Sequence, residues 1–373
     1  MKRSTIGFSE EQAQLLDIAA AFCREKSPVE KVRKLLEHEQ GYDPAVWKEM
    51  AELGWLGIAV PEEFGGIGLS LAEVVPVAEQ MGRHLMAGPF VPTTLAAQAI
   101  LAGGTEAQKK ALLPEICAGA PASLALMEEH GDWDLTHVEA EARREGDVLK
   151  LSGKKTFVLD LPSAEYLILS LNLGGKPVLA VLGKEEIGKL KARRETVIDE
   201  TRRSYQIVLD GVSVPVSALL DEGKAVQALR HIELTASLLL SAEMCGGAAS
   251  TIDYTLDYLT TRKQFGKLIG SYQSLKHTVV DAHIAYEQAR SHLYNAASNF
   301  NQQGEGEAAT RMAKSVASEA FSFASDRAIQ FHGGFGFTYE CDAQLYRRRA
   351  LWCEYQHGDA VYHRRLLADA LLG

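Results

Sequence analysis

The hydrophobic period of this chain changes twice, and the two changes limit what it can fold into. Up to about residue 120 apolar residues recur at helical spacing: Leu15, Leu16, Ile18, Ala19 and Phe22 mark one face of a helix over Glu10–Arg24. Asp43-Pro44 reads as an N-cap with proline in the first turn, starting a helix over Ala45–Leu53. A glycine-punctuated loop, Gly54–Gly68, leads to a further helix capped by Ser70, and Thr105–Cys117 is a short amphipathic helix ending at Gly119. From about Pro121 the pattern becomes short runs of β-branched, aromatic and leucine residues separated by turns. These are Val148–Ser152, Lys155–Leu159, Tyr166–Leu171, Val178–Leu182 and Tyr205–Leu209, and Val212–Pro215 ends the series. From about Asp221 long helices return: Val226–Thr261, interrupted at Gly246-Gly247, then Tyr272–Phe300, Ala308–His332 and Asp359–Leu372. The expectation is a mainly α protein with a middle β domain. Its domains are residues 1–120 (helical), 121–220 (β) and 221–373 (a helical bundle).

A chain of 373 residues exceeds one small core, which agrees with two or three domains. Apolar content of 46% and charged content of 24% describe an ordinary globular composition. No run approaches the ~18 apolar residues of a membrane span, and the charged start points to no export signal. A net charge of −10 argues against a general nucleic-acid binder. It leaves room for a small polyanion held in a local basic pocket; Arg202-Arg203 and Arg347-Arg348-Arg349 are such clusters, more commonly salt-bridged or solvated. Cys23, Cys117, Cys245, Cys341 and Cys353 are scattered and odd in number, without CxxC spacing. That fits a reducing cytoplasm and excludes a zinc or disulfide framework, so no metal is expected.

Two segments carry candidate chemistry. Arg262-Lys263-Gln264-Phe265-Gly266 is followed by Gln273. Arginine offers a planar fork of donors suited to a diphosphate, although a single arginine at a helix end is usually just solvated. Gln330-Phe331-His332-Gly333-Gly334-Phe335-Gly336-Phe337 adds an amide and two glycines that let backbone approach a ligand; its plain reading is a glycine-ended helix.

Together with Gly54-Trp55-Leu56-Gly57-Ile58-Ala59-Val60-Pro61-Glu62-Glu63-Phe64-Gly65-Gly66, these segments make the chain resemble the acyl-CoA dehydrogenase family from end to end. The resemblance implies an N-terminal helical domain, a middle β-barrel or sandwich and a C-terminal four-helix bundle. It also implies FAD, an acyl-CoA substrate, a tetramer and an electron-transfer flavoprotein as acceptor. It places Arg262, Gln273, Gln330, Gly333 and Gly334 on the FAD of a neighbouring subunit, with Phe265 packed nearby and Asp359 in the same set.

The family's chemistry needs a carboxylate that removes the α-proton of the thioester while the β-hydrogen leaves as hydride to the flavin. Of the two positions the family uses, one falls on His357, before Gly358, and the other on Ala236. Two substitutes remain open. Glu243 shares a helix face with Ala236 but is displaced by about 10.5 Å of helical rise, and its plain reading is a buried carboxylate paired with a bundle arginine. His357 titrates near neutrality as a free imidazole.

The middle domain departs from the family as well. Met127 stands where a hydroxyl faces the flavin ring, Trp133 replaces a serine, and Leu159 replaces a second hydroxyl; methionine and leucine donate no hydrogen bond. This split resembles the two-gene acyl-CoA dehydrogenases of bacterial steroid side-chain degradation, which assemble as α2β2 heterotetramers. One subunit type there lacks the Arg-x-x-Phe-Gly element, and the other keeps it and ends much as Gly358-Asp359-Ala360-Val361-Tyr362-His363-Arg364-Arg365 does. The reading is a subunit that completes the FAD site of a paralogous partner. The alternatives are a self-sufficient homo-oligomer with Glu243 or His357 as base, and a non-catalytic acyl-CoA-binding or scaffold protein.

Overall fold

A computed structural model describes residues 9–372. Helices come first: α1 (Glu10–Lys26), α2 (Val29–Leu36), α3 (Pro44–Glu52), α4 (Leu71–Arg83), α5 (Phe90–Gly103) and α6 (Glu106–Cys117). Strands follow: β1 (Ala122–Ala125), β2 (Glu141–Glu145), β3 (Val148–Ser152), β4 (Lys154–Leu159), β5 (Tyr166–Leu173) and β6 (Lys176–Gly183), then after the short α7 (Lys184–Ile187), β7 (Lys191–Glu195), β8 (Ser204–Val208) and β9 (Ser213–Pro215). The chain closes with α8 (Ala225–Thr261), the hairpin β10 (Lys263–Gln264) and β11 (Lys267–Leu268), α9 (Gln273–Asn299), α10 (Glu305–His332), α11 (Ala343–Tyr355) and α12 (Ala360–Leu372). Local chemistry explains several starts. Ser9 and Thr105 each form a reciprocal capping box with a glutamine three residues on, and Asp43 caps α3 ahead of Pro44.

The chain forms two compact units. One comprises Glu37–Ser70 and Ala87–Ala236. Its larger sheet runs β1-β5-β2-β3-β9 with β6 also on β5, and a second sheet runs β4-β8-β7. Leu149, Leu151, Leu167, Leu169, Leu171 and Ile207 fill the core between them. The sequence passes over β2 and β7 because Glu141–Glu145 and Lys191–Glu195 are charged on both faces. On the sheet edge, exposed Lys191, Arg193 and Arg194 deter pairing with another chain. Arg203 forms no anion pocket: it is buried and donates to the carbonyls of His38, Glu39 and Glu200. Gly41 lies against it, at a φ of 73°, where a Cβ would come within 2.8 Å of the guanidinium.

The same unit holds a buried ion pair. Lys155 is fully buried and its Nζ lies 2.7 Å from Glu128 Oε1 and 2.8 Å from Ser170 Oγ. Glu128 also accepts the backbone N–H groups of Glu139 and Ala140. Burial pushes the Lys155 ammonium down to about 8, against the pull of Glu128. Burial also pushes the Glu128 carboxyl up, but Lys155 and the two amides outweigh it and hold that group below its usual value.

The second unit comprises the residues up to Leu36, Leu71–Met86 and those from Ser237 onward. Its organising contact is where α4 crosses α8. A Cβ on Gly246 would sit 1.8 Å from the Glu79 carbonyl oxygen, and one on Gly82 would sit 2.1 Å from that of Glu243. A Cβ on Gly247 would meet the Phe321 ring of α10 at 2.4 Å. The expected break at Gly246-Gly247 is absent: α8 runs 37 residues without interruption. The glycines admit neighbouring helices, so they leave no room for a bulky ligand. Beside this crossing Glu79 accepts from Arg290 Nε at 2.8 Å and from the Tyr294 hydroxyl, tying α4 to α9.

Two outcomes follow. Gly246→Ala should lower stability by about 2 kcal/mol in urea unfolding, although alanine is the better helix former, because the added methyl forces backbones apart; a stabilised variant would contradict this packing. Lys155→Met should cost about 3 kcal/mol by leaving Glu128 buried without its cation. The double variant Lys155→Met/Glu128→Gln should recover part of that loss in the same measurement.

Candidate functional site

The end of α8 sets up the site. The Arg262 backbone N–H still donates to the Tyr258 carbonyl at 2.9 Å, and then the chain turns into the β10–β11 hairpin, with Lys263 opposite Leu268 and Gln264 opposite Lys267. The two turn residues, Phe265 and Gly266, have φ of 53° and 78°, as a tight hairpin of this hand requires. Glycine adopts that conformation freely, whereas for phenylalanine it costs on the order of 1 kcal/mol. Phe265 is also 91% exposed. Nothing in this chain's own packing explains a strained aromatic at a hairpin tip.

Across from the hairpin, α10 ends at His332, and Gly333 with φ of 61° turns the chain away, its N–H donating to the Gln330 carbonyl. Arg262, Phe265, Gln330, Gly333 and Gly334 line one cavity of about 810 Å³ with the aromatic rings of Tyr258, Tyr272 and Phe335. Arg262 is exposed and makes no ion pair among the described residues. Gln273 is the exposed first residue of α9 and lies outside the wall of this cavity. Asp359 is elsewhere: its Oδ1 accepts the Tyr362 N–H at 2.8 Å and starts α12. Sequence reasoning missed Tyr258 and His332 as wall residues. The signals were present, since Tyr258 stands one helical turn before Arg262 and His332 lies inside the quoted glycine segment.

The positions that hold a base in related chains are differently furnished. Ala236 is fully buried. Glu243 is 1% exposed, its Oε2 3.6 Å from the Nη1 of the equally buried Arg349 and 3.8 Å from Cys353 Sγ. It is a paired carboxylate inside the bundle. His357 has φ of 54° and precedes Gly358 at 99°. This turn is held by Lys314, whose buried Nζ donates to the carbonyls of Cys353, Glu354 and Gly358 at 3.1, 3.1 and 2.8 Å. The His357 carbonyl takes a further bond from His363 Nε2 at 2.8 Å. Burial, and then the Lys314 charge, push the His357 imidazole down to about 4. Its Nδ1 is sealed from solvent without a hydrogen-bond partner among the described residues. An efficient base at neutral pH needs a pKa near 7 and an open path to its proton, and neither group has both.

In the β unit Met127 and Leu159 take part through backbone: the Met127 carbonyl accepts the Thr156 N–H at 2.9 Å and the Leu159 carbonyl accepts from Ser123 Oγ. Nearby, Glu128, His130 and Glu139 bring three ligand-type atoms together. The bonding is that of a lock. His130 Nδ1 accepts the Asp132 N–H at 3.1 Å, so the neutral ring carries its proton on Nε2, which meets Glu128 at 3.0 Å. A metal would need that nitrogen bare.

Residues 9–120 match the family model described as acyl-CoA dehydrogenase, N-terminal domain, and residues 235–372 match acyl-CoA dehydrogenase, C-terminal domain. The acyl-CoA dehydrogenase IpdE2 of Mycolicibacterium smegmatis is 30% identical over 354 residues, covering 94% of each chain. A variant of the Tcur3481-Tcur3483 steroid ACAD superposes with a TM-score of 0.87 at 28% identity, over 97% of this chain and 98% of that one. The ChsE4-ChsE5 complex from Mycobacterium tuberculosis has the same fold, with a TM-score of 0.89 at 22% identity over 99% of each chain. With matching domains at both ends and a relative of this similarity across nearly its whole length, the chain belongs to the acyl-CoA dehydrogenase family.

Proposed function

We propose that this chain is one subunit of a heteromeric acyl-CoA dehydrogenase and that it completes the FAD site of a paralogous partner. Family members are FAD-dependent flavoproteins. The observation that carries the reading is a contrast within one chain. Arg262 stands exposed and unpaired beside the strained, exposed Phe265, whereas both base positions are closed by alanine or by a histidine under Lys314.

The donor set suits a diphosphate. The Arg262 guanidinium would meet the phosphates with its planar fork, the Gln330 amide would add a donor, and Gly333-Gly334 leaves open space where side chains would otherwise stand. The exposed rings of Phe265 and Phe335 offer faces for planar groups. Gln273 and Asp359 belong to this set only through the surface that assembly creates. When bound, FAD accepts the β-hydrogen of the acyl thioester as hydride while a base removes the α-proton. The base, the ring contacts and most of the acyl-CoA contacts fall to the partner. The two-protein names of the similar steroid ACAD and of the ChsE4-ChsE5 complex support a partner of the same family and a lipid or steroid acyl-CoA, and an electron-transfer flavoprotein suits as acceptor. The family matches end at residue 120 and resume at 235, which supports reading 121–220 as a separate β segment. Five free cysteines are in keeping with work in the cytoplasm.

Expression alone, compared with co-expression with a family homologue from a neighbouring gene, tests the reading. The lone chain should purify without flavin and without turnover, and the pair should be yellow and active. A yellow, fully active lone chain would falsify it and restore the self-sufficient alternative. Within the active assembly, Arg262→Gln should weaken FAD binding by about tenfold or more and leave the melting temperature of the flavin-free protein unchanged, since the guanidinium makes no internal contact. His357→Asn should leave turnover within about threefold of native; a loss of the 10²–10⁴-fold order typical of a removed general base would mark His357 as the base instead.

A further inference from the structure

The cavity beside Arg262 contains one polar group that no other part of the chain uses. His332 is the last residue of α10 and only 3% exposed. Its ring is clamped between two tyrosines of α8: Tyr258 at 4.2 Å between centroids and 26° between planes, Tyr254 at 4.8 Å and 12°. Its Nδ1 lies 2.8 Å from the Ala328 carbonyl one turn back. A carbonyl only accepts, so Nδ1 carries the proton and Nε2 presents a bare lone pair. That lone pair has no partner among the described residues and no access to solvent. A buried, unsatisfied acceptor costs roughly 1–3 kcal/mol, and here it is held rigidly at the wall of a cavity whose other polar members are donors. Burial, the larger effect, keeps the ring neutral by pushing its pKa down, so the acceptor persists at physiological pH.

We propose that His332 is a cofactor-binding residue whose Nε2 accepts a hydrogen bond from a neutral donor, a hydroxyl or exocyclic amine, on the nucleoside diphosphate whose phosphates meet Arg262. The inference rests on the site reading above. Arginine and glutamine select the charged part of such a ligand; the clamped imidazole selects the uncharged part. Gly333 and Gly334, which have nothing within 4 Å of where a Cβ would stand, leave the adjoining wall free for the ligand to reach the ring. Ring stacking fixes the direction of the lone pair before the ligand arrives, so little ordering remains to be done on binding.

The test uses the assembled flavoenzyme, stripped of flavin and titrated with FAD, ADP and FMN. His332→Phe keeps an aromatic ring between the tyrosines and removes the acceptor. It should weaken FAD and ADP by about tenfold, as loss of one buried hydrogen bond does, and leave FMN, which has no adenosine, unchanged. The melting temperature of the flavin-free variant should stay level or rise, because an orphan acceptor has gone. FAD and ADP affinities within twofold of native, in a preparation where Arg262→Gln weakens both, would overturn the inference and spare the site reading. No effect of Arg262→Gln would instead overturn the site reading itself. The native protein offers a second measurement that needs no variant: the ¹⁵N shift of His332 Nε2 should move when ADP binds, and an unmoved resonance at saturation counts against the proposal.

Discussion

The bundle depends on backbone meeting backbone where α4 crosses α8. With glycine at 82 and 246, the two helices approach to a distance no side chain permits. That approach places Glu79 against Arg290 and Tyr294 and lets α8 continue unbroken to its far end. Arg262 and the hairpin stand at that end. A rigid helix of 37 residues, about 55 Å long, therefore fixes where the exposed arginine points, and its stiffness comes from a contact four turns earlier. Gly247 does the same for α10 through Phe321, and α10 delivers Gln330 and His332. The two halves of the cavity wall are thus referred to one short stretch of α8.

A second arrangement governs what the site lacks. Lys314 is a buried cation satisfied by three carbonyls at the end of α11. It holds the turn before Gly358 and, by its charge, keeps His357 from taking a proton. A carboxylate placed at 357 would meet a buried ammonium as an ion partner, not a dry pocket that raises its pKa. The missing base is accordingly a property of the neighbourhood and not of one substituted residue, and the same holds for Glu243 under Arg349.

How much of this was legible depended on how local the cause was. The strand β3 coincides with the expected Val148–Ser152 because alternation alone marks it, and α6 follows from the Thr105–Gln108 cap. The charged strands β2 and β7 left no apolar trace, and α11 hid in an arginine-rich run. Gly246-Gly247 read as an interruption because the intrinsic weakness of glycine in a helix is visible in sequence, whereas the helix it admits is not. In the site, Arg262, Gln330 and the glycine pair were legible as motif residues. The clamp on His332 was not, because Tyr254 and Tyr258 come more than seventy residues earlier in the chain. Lys314 likewise stands forty-three residues before His357, and spacing alone gave no reason to join them.

The Phe265–Gly266 turn has a consequence for how such a protein is made. A chain that presents a bare aromatic on a protruding loop is sticky until that ring is covered. On the shared-site reading the cover is another gene's product, so the two messages must be translated in step. Surplus copies of this subunit would then be removed by aggregation or proteolysis, and the amount of enzyme in the cell would follow the scarcer of the two chains.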